Sequence, residues 1–238
     1  MAEVVGAAGA GKTTLLRALS ERDAAIQAIF GFRRIEYVPY FAYHAVVLLP
    51  FSVRMFLGGA RLSGQDIRTM VHLEATLDAV QASQPATLTM LDQGPVYMLT
   101  RLRGLCAKHT GSRALGIWWS DLLRRWAATL DLIIWLDAPD PILLERIRAR
   151  DKWHSVKHAS DQEAYRFLMN FRIAYEQVVS KMTSRDGPRV MRFDTSQEPL
   201  QQIVDGVLAA FDRRGGEDPA SAAARQQNLS NTVGTREH

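Results

Sequence analysis

Gly6-Ala7-Ala8-Gly9-Ala10-Gly11-Lys12-Thr13 matches the pattern G-x-x-x-x-G-K-[ST] in full, and its surroundings are as informative as its letters. Ala2-Glu3-Val4-Val5 reads as a short buried strand leading into it, and Thr13 to Glu21, with Leu15, Leu16, Ala18 and Leu19, as the helix leading out. Strand, glycine-rich loop and helix in that order are the context the pattern requires. Glycines at these offsets let successive backbone N–H groups point into one concavity, to which the helix adds its positive N-terminal end. A triphosphate fits there. Lys12 would bridge β- and γ-phosphate oxygens, the Thr13 hydroxyl would coordinate Mg²⁺ and Thr14 would contact the α-phosphate. The nucleotide-binding set is thus Gly6, Ala7, Ala8, Gly9, Ala10, Gly11, Lys12, Thr13 and Thr14, with ATP and Mg²⁺ as the implied cofactors. A small-residue turn that happens to contain Lys-Thr is the bland alternative, and the flanking strand and helix weigh against it.

The rest of the chain repeats the alternation. Ser63 and Asp66 have capping-box spacing, and Ile67, Met70, Val71, Leu77 and Val80 recur with helical period, giving a helix over about 64–82. Thr87-Leu88-Thr89-Met90-Leu91 and Leu132-Ile133-Ile134-Trp135-Leu136 are short apolar runs that stop at Asp92 and Asp137, the pattern of buried parallel strands. Helical patterns follow over about 96–108, 118–129, 141–150 and 162–182, then a strand over 189–193 and a helix over 199–211. These are βαβ units and an α/β fold. Beyond Arg213, small and polar residues leave too little apolar surface for packing, so 213–238 are expected to form a disordered tail after a domain spanning 1–212.

Composition narrows the function classes. The 238 residues are 47% hydrophobic, enough to fill a core, and 29 basic against 25 acidic side chains give +4, a mild excess that requires no nucleic acid. A single cysteine, Cys106, forms no intrachain disulfide and suggests no zinc site. No basic region followed by a long apolar run precedes the loop, so the cytoplasm is the expected location. The most apolar stretch, 38–59, contains Tyr40, Phe41, Val46, Val47, Leu48, Leu49, Phe51 and Phe56, but Pro50, His44 and Arg54 interrupt it. Its uninterrupted apolar run falls short of the roughly 20 residues that span a bilayer, so a buried or substrate-facing helix is expected instead of a transmembrane segment.

No Asn-Lys-x-Asp and no Leu-Ser-Gly-Gly-Gln motif occurs, which lowers GTPases and transporter subunits. The chain resembles the thymidylate kinase-like group of nucleoside and nucleotide kinases. The resemblance runs through Val4 to Leu15, Leu91-Asp92-Gln93-Gly94, and Leu136-Asp137-Ala138-Pro139 followed by Arg146-Ile147-Arg148-Ala149-Arg150, and covers about residues 2–211. It implies a P-loop three-layer sandwich with a five-stranded parallel sheet of order 2-3-1-4-5, helices on both faces and a mobile basic lid. The lid would lie at about 146–160 and an acceptor-side insertion at about 38–83. By the same resemblance, Asp92 stands where the group carries an Asp-Arg or Glu-Arg pair. As a catalytic carboxylate it would hold the Mg²⁺ water shell or accept the acceptor's hydroxyl proton, with a helix cap as the alternative. Gln93 departs from the group, which usually has arginine there; Arg101 or Arg103 could replace it, although a solvated helix face explains them equally well. Glu36, beside Arg33 and Arg34, lies loosely where deoxynucleoside kinases carry a base, although a surface glutamate fits as well. Asp194-Thr195-Ser196 falls where related kinases place adenine contacts.

Asp137, before Ala-Pro-Asp, is better explained by turn chemistry. Arg146, Arg148, Arg150, Lys152, His154, Lys157 and His158 concentrate positive charge between two helices; Arg146 and Arg150, four apart, can face one phosphate and act on the transition state, although solvated surface charges explain part of the run. His154 and His158 lack a third metal ligand. Trp118, Trp119 and Trp126, with Tyr40, Phe41 and Tyr43, either stack on an aromatic acceptor or pack the core, and the core is the better explanation. The leading expectation is transfer of the γ-phosphoryl group to a small-molecule acceptor, a nucleoside or nucleotide first, by a chain that could form a homodimer. The rivals are a kinase of a more apolar hydroxyl metabolite and a non-catalytic ATP-binding module.

Overall fold

The computed structural model describes residues 1–30, 38–57, 62–82, 88–108, 112–183 and 187–215. The strands are β1 (Ala2–Val5), β2 (Ile26–Phe30), β3 (Leu88–Asp92), β4 (Leu132–Asp137) and β5 (Arg189–Asp194), and all pair in parallel in the order β2-β3-β1-β4-β5. The helices are α1 (Lys12–Arg22), α2 (Val38–Leu57), α3 (Gly64–Ala82), α4 (Pro95–Lys108), α5 (Arg113–Thr129), α6 (Asp140–Arg148), α7 (Asp161–Met182) and α8 (Leu200–Gly215). The expected strand order is therefore realised. β1 and the first five residues of β4 are buried, as the unbroken apolar runs of strands covered on both faces require.

One apolar core packs Leu15, Leu16, Leu19, Leu143, Ile147, Ile203 and Val207 against one face of the sheet; the other packs Leu73, Leu99, Leu122, Trp126, Val178 and Met182 on the opposite side. Trp119 and Trp126 are buried in that second core, and Trp118 packs against it while donating to Glu74 at 2.9 Å. The tryptophans thus serve packing. Two helix starts follow the sequence signals. Asp66 accepts from the Ser63 backbone at 2.9 Å while its own N–H donates to the Ser63 hydroxyl, and Ser160 and Glu163 form a full capping box.

Four features depart from the sequence reading. α6 stops at Arg148, two residues short, so Arg150 lies in the turn beyond it. α8 continues through Gly215, past the expected start of the tail at 213; residues 216–238 are outside the described set, as are Arg33, Arg34, Glu36, Gly58 and Gly59. β2 comes from Ile-Gln-Ala-Ile-Phe, a run too short and unpunctuated to single out beforehand. The 38–59 segment is a helix but not a buried one. Only His44, Leu48, Ser52 and Met55 of α2 are buried, and no wall of the nucleotide-loop cleft described below includes an α2 residue. Among the described helices α2 is the one long and apolar enough, by length and composition alone, to span a membrane.

Candidate active site

The loop between β1 and α1 owes its path to its glycines. Gly6 has φ 142°, and a Cβ there would stand 2.1 Å from the Leu136 carbonyl oxygen at the end of β4. Gly9, which the motif leaves free, has φ 89° and would set its Cβ 2.8 Å from the Leu143 carbonyl oxygen of α6. Contact with α6, not the motif, fixes this position. The N–H groups that begin α1 open into a cleft of about 510 Å³, lined by the loop, Asp92, Gln93, Tyr97, Arg146, Arg150, Lys152, Trp153, His154, Phe167 and Phe171. Every residue expected to be catalytic or metal-binding (Lys12, Thr13, Asp92, Arg146 and Arg150) reaches this one cleft.

Lys12 folds over its own loop, donating from Nζ to the Gly6 and Ala7 carbonyls at 2.8 and 2.9 Å. Burial lowers its pKa to about 8; Asp92 opposes the shift, while Arg150 and Lys152 add to it. A cation held short of full protonation beside two others is a site that lacks negative charge. The Thr13 hydroxyl donates to Asp92 Oδ2 at 3.4 Å, and Asp92 Oδ1 is buried without a hydrogen-bond partner. A hydroxyl and a carboxylate with an unused buried oxygen fit one flank of a hard, oxygen-liganded cation such as Mg²⁺. Among the described residues no cluster of three or more His, Cys, Asp or Glu side chains could hold a metal. His154 instead packs edge-on against Phe167, 5.7 Å between ring centres, and burial together with Arg150 and Lys12 holds its pKa below the usual histidine value.

The two arginines do different things. Arg146 bridges the loop and the β5–α8 turn, donating from Nη1 to Thr195 Oγ1 at 2.8 Å and to the Gly9 carbonyl at 3.4 Å, and from Nη2 to the Thr195 carbonyl at 3.0 Å. Together with Gly11, Thr14, Leu15, Glu198 and Leu200, Arg146 and Thr195 line a second hollow of about 300 Å³ next to the loop. Arg150, beyond the end of α6, faces Lys12 across the cleft. Arg148 is turned away to Asp161 at 2.8 Å and to the Ala159 carbonyl at 3.0 Å, pinning the far end of the connecting segment. Asp137 is consumed structurally. Arg172 grips it at 2.6 and 3.1 Å and reaches Asp140 at 2.8 Å.

Sequence reasoning missed three groups. Glu3 is fully buried in β1, where its carboxylate accepts from the Val96 and Tyr97 N–H groups at 2.7 and 3.0 Å, at the start of α4. Burial above all, with Asp92 adding to it, raises its pKa to about 8 against those hydrogen bonds. Glu3 fixes the turn that carries Asp92, and Gly94 lies so close that a Cβ would come within 2.9 Å of the Glu3 carboxyl carbon. Gln93, between them, has φ 57°, the left-handed conformation that tight turns require. The second group is aromatic: Phe167 and Phe171 stack at 6.0 Å on one face of α7, with Tyr97 6.2 Å from Phe171. Their i, i+4 spacing on α7 was the available signal. The third is Arg172, whose partners lie more than thirty residues away in sequence. Of the candidates to replace an arginine at Gln93, Arg101 sits over the Tyr97 ring at 5.9 Å, and neither it nor Arg103 is among the cleft-lining residues.

No family model matches the chain, and no curated protein does. Solved structures do. The chain is similar to a thymidylate kinase from Candida albicans (15% identity, 90% of this chain and 91% of the other, TM-score 0.54). It is also similar to a deoxyadenosine kinase from M. mycoides with bound dATP (14% identity, 89% and 98%, TM-score 0.51). A third likeness is to the YorR protein of Bacillus subtilis in complex with phosphorylated GDP (13% identity, 91% and 98%, TM-score 0.51). With these likenesses and a five-stranded parallel sheet of order β2-β3-β1-β4-β5, the chain has the P-loop nucleotide kinase fold.

Proposed function

We propose that the chain is an ATP-dependent phosphotransferase that moves the γ-phosphoryl group of MgATP to a small-molecule hydroxyl acceptor, a nucleoside or nucleotide first. One observation carries the reading: Lys12, Arg146, Arg150 and Lys152 surround a single cleft at a phosphate loop, with Asp92 as the carboxylate among them. That charge balance calls for a polyanion with a cation beside Asp92. The loop N–H groups would hold the phosphates, and the hollow at Arg146 and Thr195 would take the base. Thr13 directly, and Asp92 through its water shell, would hold Mg²⁺, which when bound supplies charge neutralisation to the phosphates. Lys12 would leave the Gly6 and Ala7 carbonyls for the γ-phosphoryl group. Arg150, on a segment acting as a lid over about 146–160, would close on the charge that develops in transfer. The acceptor oxygen would then bond to the γ-phosphorus as the bond to the β–γ bridging oxygen breaks and ADP leaves, and the hydroxyl proton would pass to Asp92 where that carboxylate holds the metal only through its water shell.

The aromatic wall of Tyr97, Trp153, Phe167 and Phe171 favours an acceptor with a flat or apolar body, so a second reading is a kinase of a more apolar hydroxyl compound. Incubation with Mg²⁺, γ-labelled ATP and a panel of nucleosides, nucleotides and other hydroxyl metabolites separates the two. Label on a nucleoside or nucleotide supports the first reading, and label on another hydroxyl compound the second. Retained ATP binding with no label on any acceptor would make the chain a binding module. Lys12→Ala abolishes transfer on either kinase reading; unchanged transfer in that variant would overturn both.

A further inference from the structure

Tyr175, on α7, is 1% exposed in the second core, lines no wall of the cleft and takes no part in the transfer chemistry set out above. Its phenol nevertheless reaches the root of the phosphate loop. The hydroxyl accepts the N–H of Gly6, the residue at which the chain leaves β1. The ring is held from two sides, edge to face on Phe171 at 4.9 Å and against Trp135 at 5.7 Å. Trp135 is the β4 residue paired with Val5, the last of β1, so the ring is placed by the same strand end that carries the loop. Clamped there, it has no room to swing its hydroxyl away from Gly6.

Packing alone does not account for the hydroxyl, because phenylalanine would fill the same space without taking a polar atom out of water. Gly6 supplies the reason. It is buried, and a buried N–H at the point where the chain leaves the sheet has to be paired. Gly6 also has no slack, with φ 142° and the Leu136 carbonyl against its Cα. A hydrogen bond to its N–H fixes the plane of the Val5–Gly6 peptide, and with it the direction in which the following N–H groups enter the cleft. Burial first, then Glu3 and Tyr97 beside it, raises the phenol's pKa against the pull of the Gly6 N–H, so the hydroxyl stays neutral over the working range.

We propose that Tyr175 is a positioning residue for the nucleotide: through the Gly6 N–H its phenol sets the phosphate loop, and without that tie the loop holds phosphates less tightly. The proposal rests on the phosphotransferase reading only in taking the loop to bind a triphosphate. Because the loop N–H contacts are shared by ground and transition states, the loss falls on binding and not on turnover.

Tyr175→Phe keeps the ring and removes the hydroxyl. Calorimetry should show the Kd values for ATP and for inorganic tripolyphosphate both rising about tenfold, since the tie acts on the phosphates and not on the base. KM for ATP should rise in parallel, with kcat within about threefold of wild type. Amide exchange followed by NMR reads the tie itself: Gly6 should lose at least about tenfold in protection while Val4 and Val5 of β1 keep theirs, which a general loosening of the core would not produce. If Tyr175→Phe does not fold, the wild-type Gly6 amide decides, protection supporting the tie and exchange at the rate of a free solvated amide refuting it. Unchanged affinity for both probes in a folded Tyr175→Phe, or a fall in kcat at constant KM, would overturn this proposal and leave the phosphotransferase reading standing. A wild-type chain that binds neither ATP nor tripolyphosphate would overturn both.

Discussion

Nucleotide binding should draw a proton onto Lys12. With a pKa of about 8, set first by burial and then by Arg150 and Lys152, about half of Lys12 is neutral at pH 8 and about a tenth at pH 7. A triphosphate placed against it supplies the missing negative charge and returns its pKa well above 8, so binding takes up about half a proton at pH 8 and about 0.1 at pH 7. The nucleotide does not obscure this, because phosphate monoesters lose their second proton near pH 6. His154, whose pKa is depressed below the usual histidine value, stays neutral at pH 8. Glu3 does titrate there and faces Asp92, so the measurement is made on Glu3→Gln. Isothermal titration calorimetry of ATP binding in two buffers of different ionisation enthalpy gives the proton count. Adding Lys12→Arg, whose guanidinium does not deprotonate, should preserve binding and remove the uptake. Less than a tenth of a proton at pH 8, or an uptake that survives Lys12→Arg, would refute the account of Lys12 as an under-neutralised cation.

Glu3 gives a stability test with a defined sign. Its folded pKa of about 8 lies above the ordinary 4.5, so the native state holds this proton more tightly, and stability falls as pH rises from about 4.5 to about 8, by an amount on the order of a few kcal/mol. Denaturation midpoints of Glu3→Gln between pH 5 and 9 should lack that decline. Thr195→Ala removes the hydroxyl that holds Arg146 and should raise KM for ATP several-fold with a smaller change in kcat; Arg150→Ala should lower kcat at least 100-fold with little change in ATP Kd. Gly9→Ala forces a left-handed Cβ against the Leu143 carbonyl and should cost about 1–3 kcal/mol in a thermal or urea melt.

How much of this was legible depended on how local each cause is. The loop, Asp92 and the strand ends are written in contiguous residues, because backbone curl and strand termination are decided within a few positions. Arg146 was legible as a cation but not as a bridge, since its partner Thr195 lies 49 residues on. Expecting it to share a phosphate with Arg150 assumed that the helix continues to residue 150, whereas it ends at Arg148. Glu3 was hidden because nothing within a four-residue buried strand says what would satisfy a carboxylate there; that partner is the N-terminus of α4, brought beside it by parallel pairing with β3. α2 overturned the expectation of burial. Apolar content argues for burial only where another element has an apolar face to cover it, and α3 covers one side of α2.

These long-range pairs also fix much of the cleft to one strand end. The end of β4 is the junction: the Leu136 carbonyl lies against Gly6, and the Asp137 carbonyl accepts from Thr195, whose hydroxyl holds Arg146. The Asp137 carboxylate holds Arg172, and Arg172 lies one residue from Phe171 on α7. The loop, the hollow at Arg146 and Thr195, and the Phe171 end of α7 are therefore tied to one strand end. The turns between Arg148 and Ser160, bearing Arg150, Lys152 and Trp153, are anchored by buried Val156, by His154 on Phe167, and at their far side by Arg148 on Asp161 and the Ala159 carbonyl. On the proposed function, closure confined to the stretch bearing Arg150, Lys152 and Trp153 would bring cations to a transferring phosphoryl group without disturbing the sites proposed for donor and acceptor. That division of labour is what catalysis by positioning and electrostatics demands.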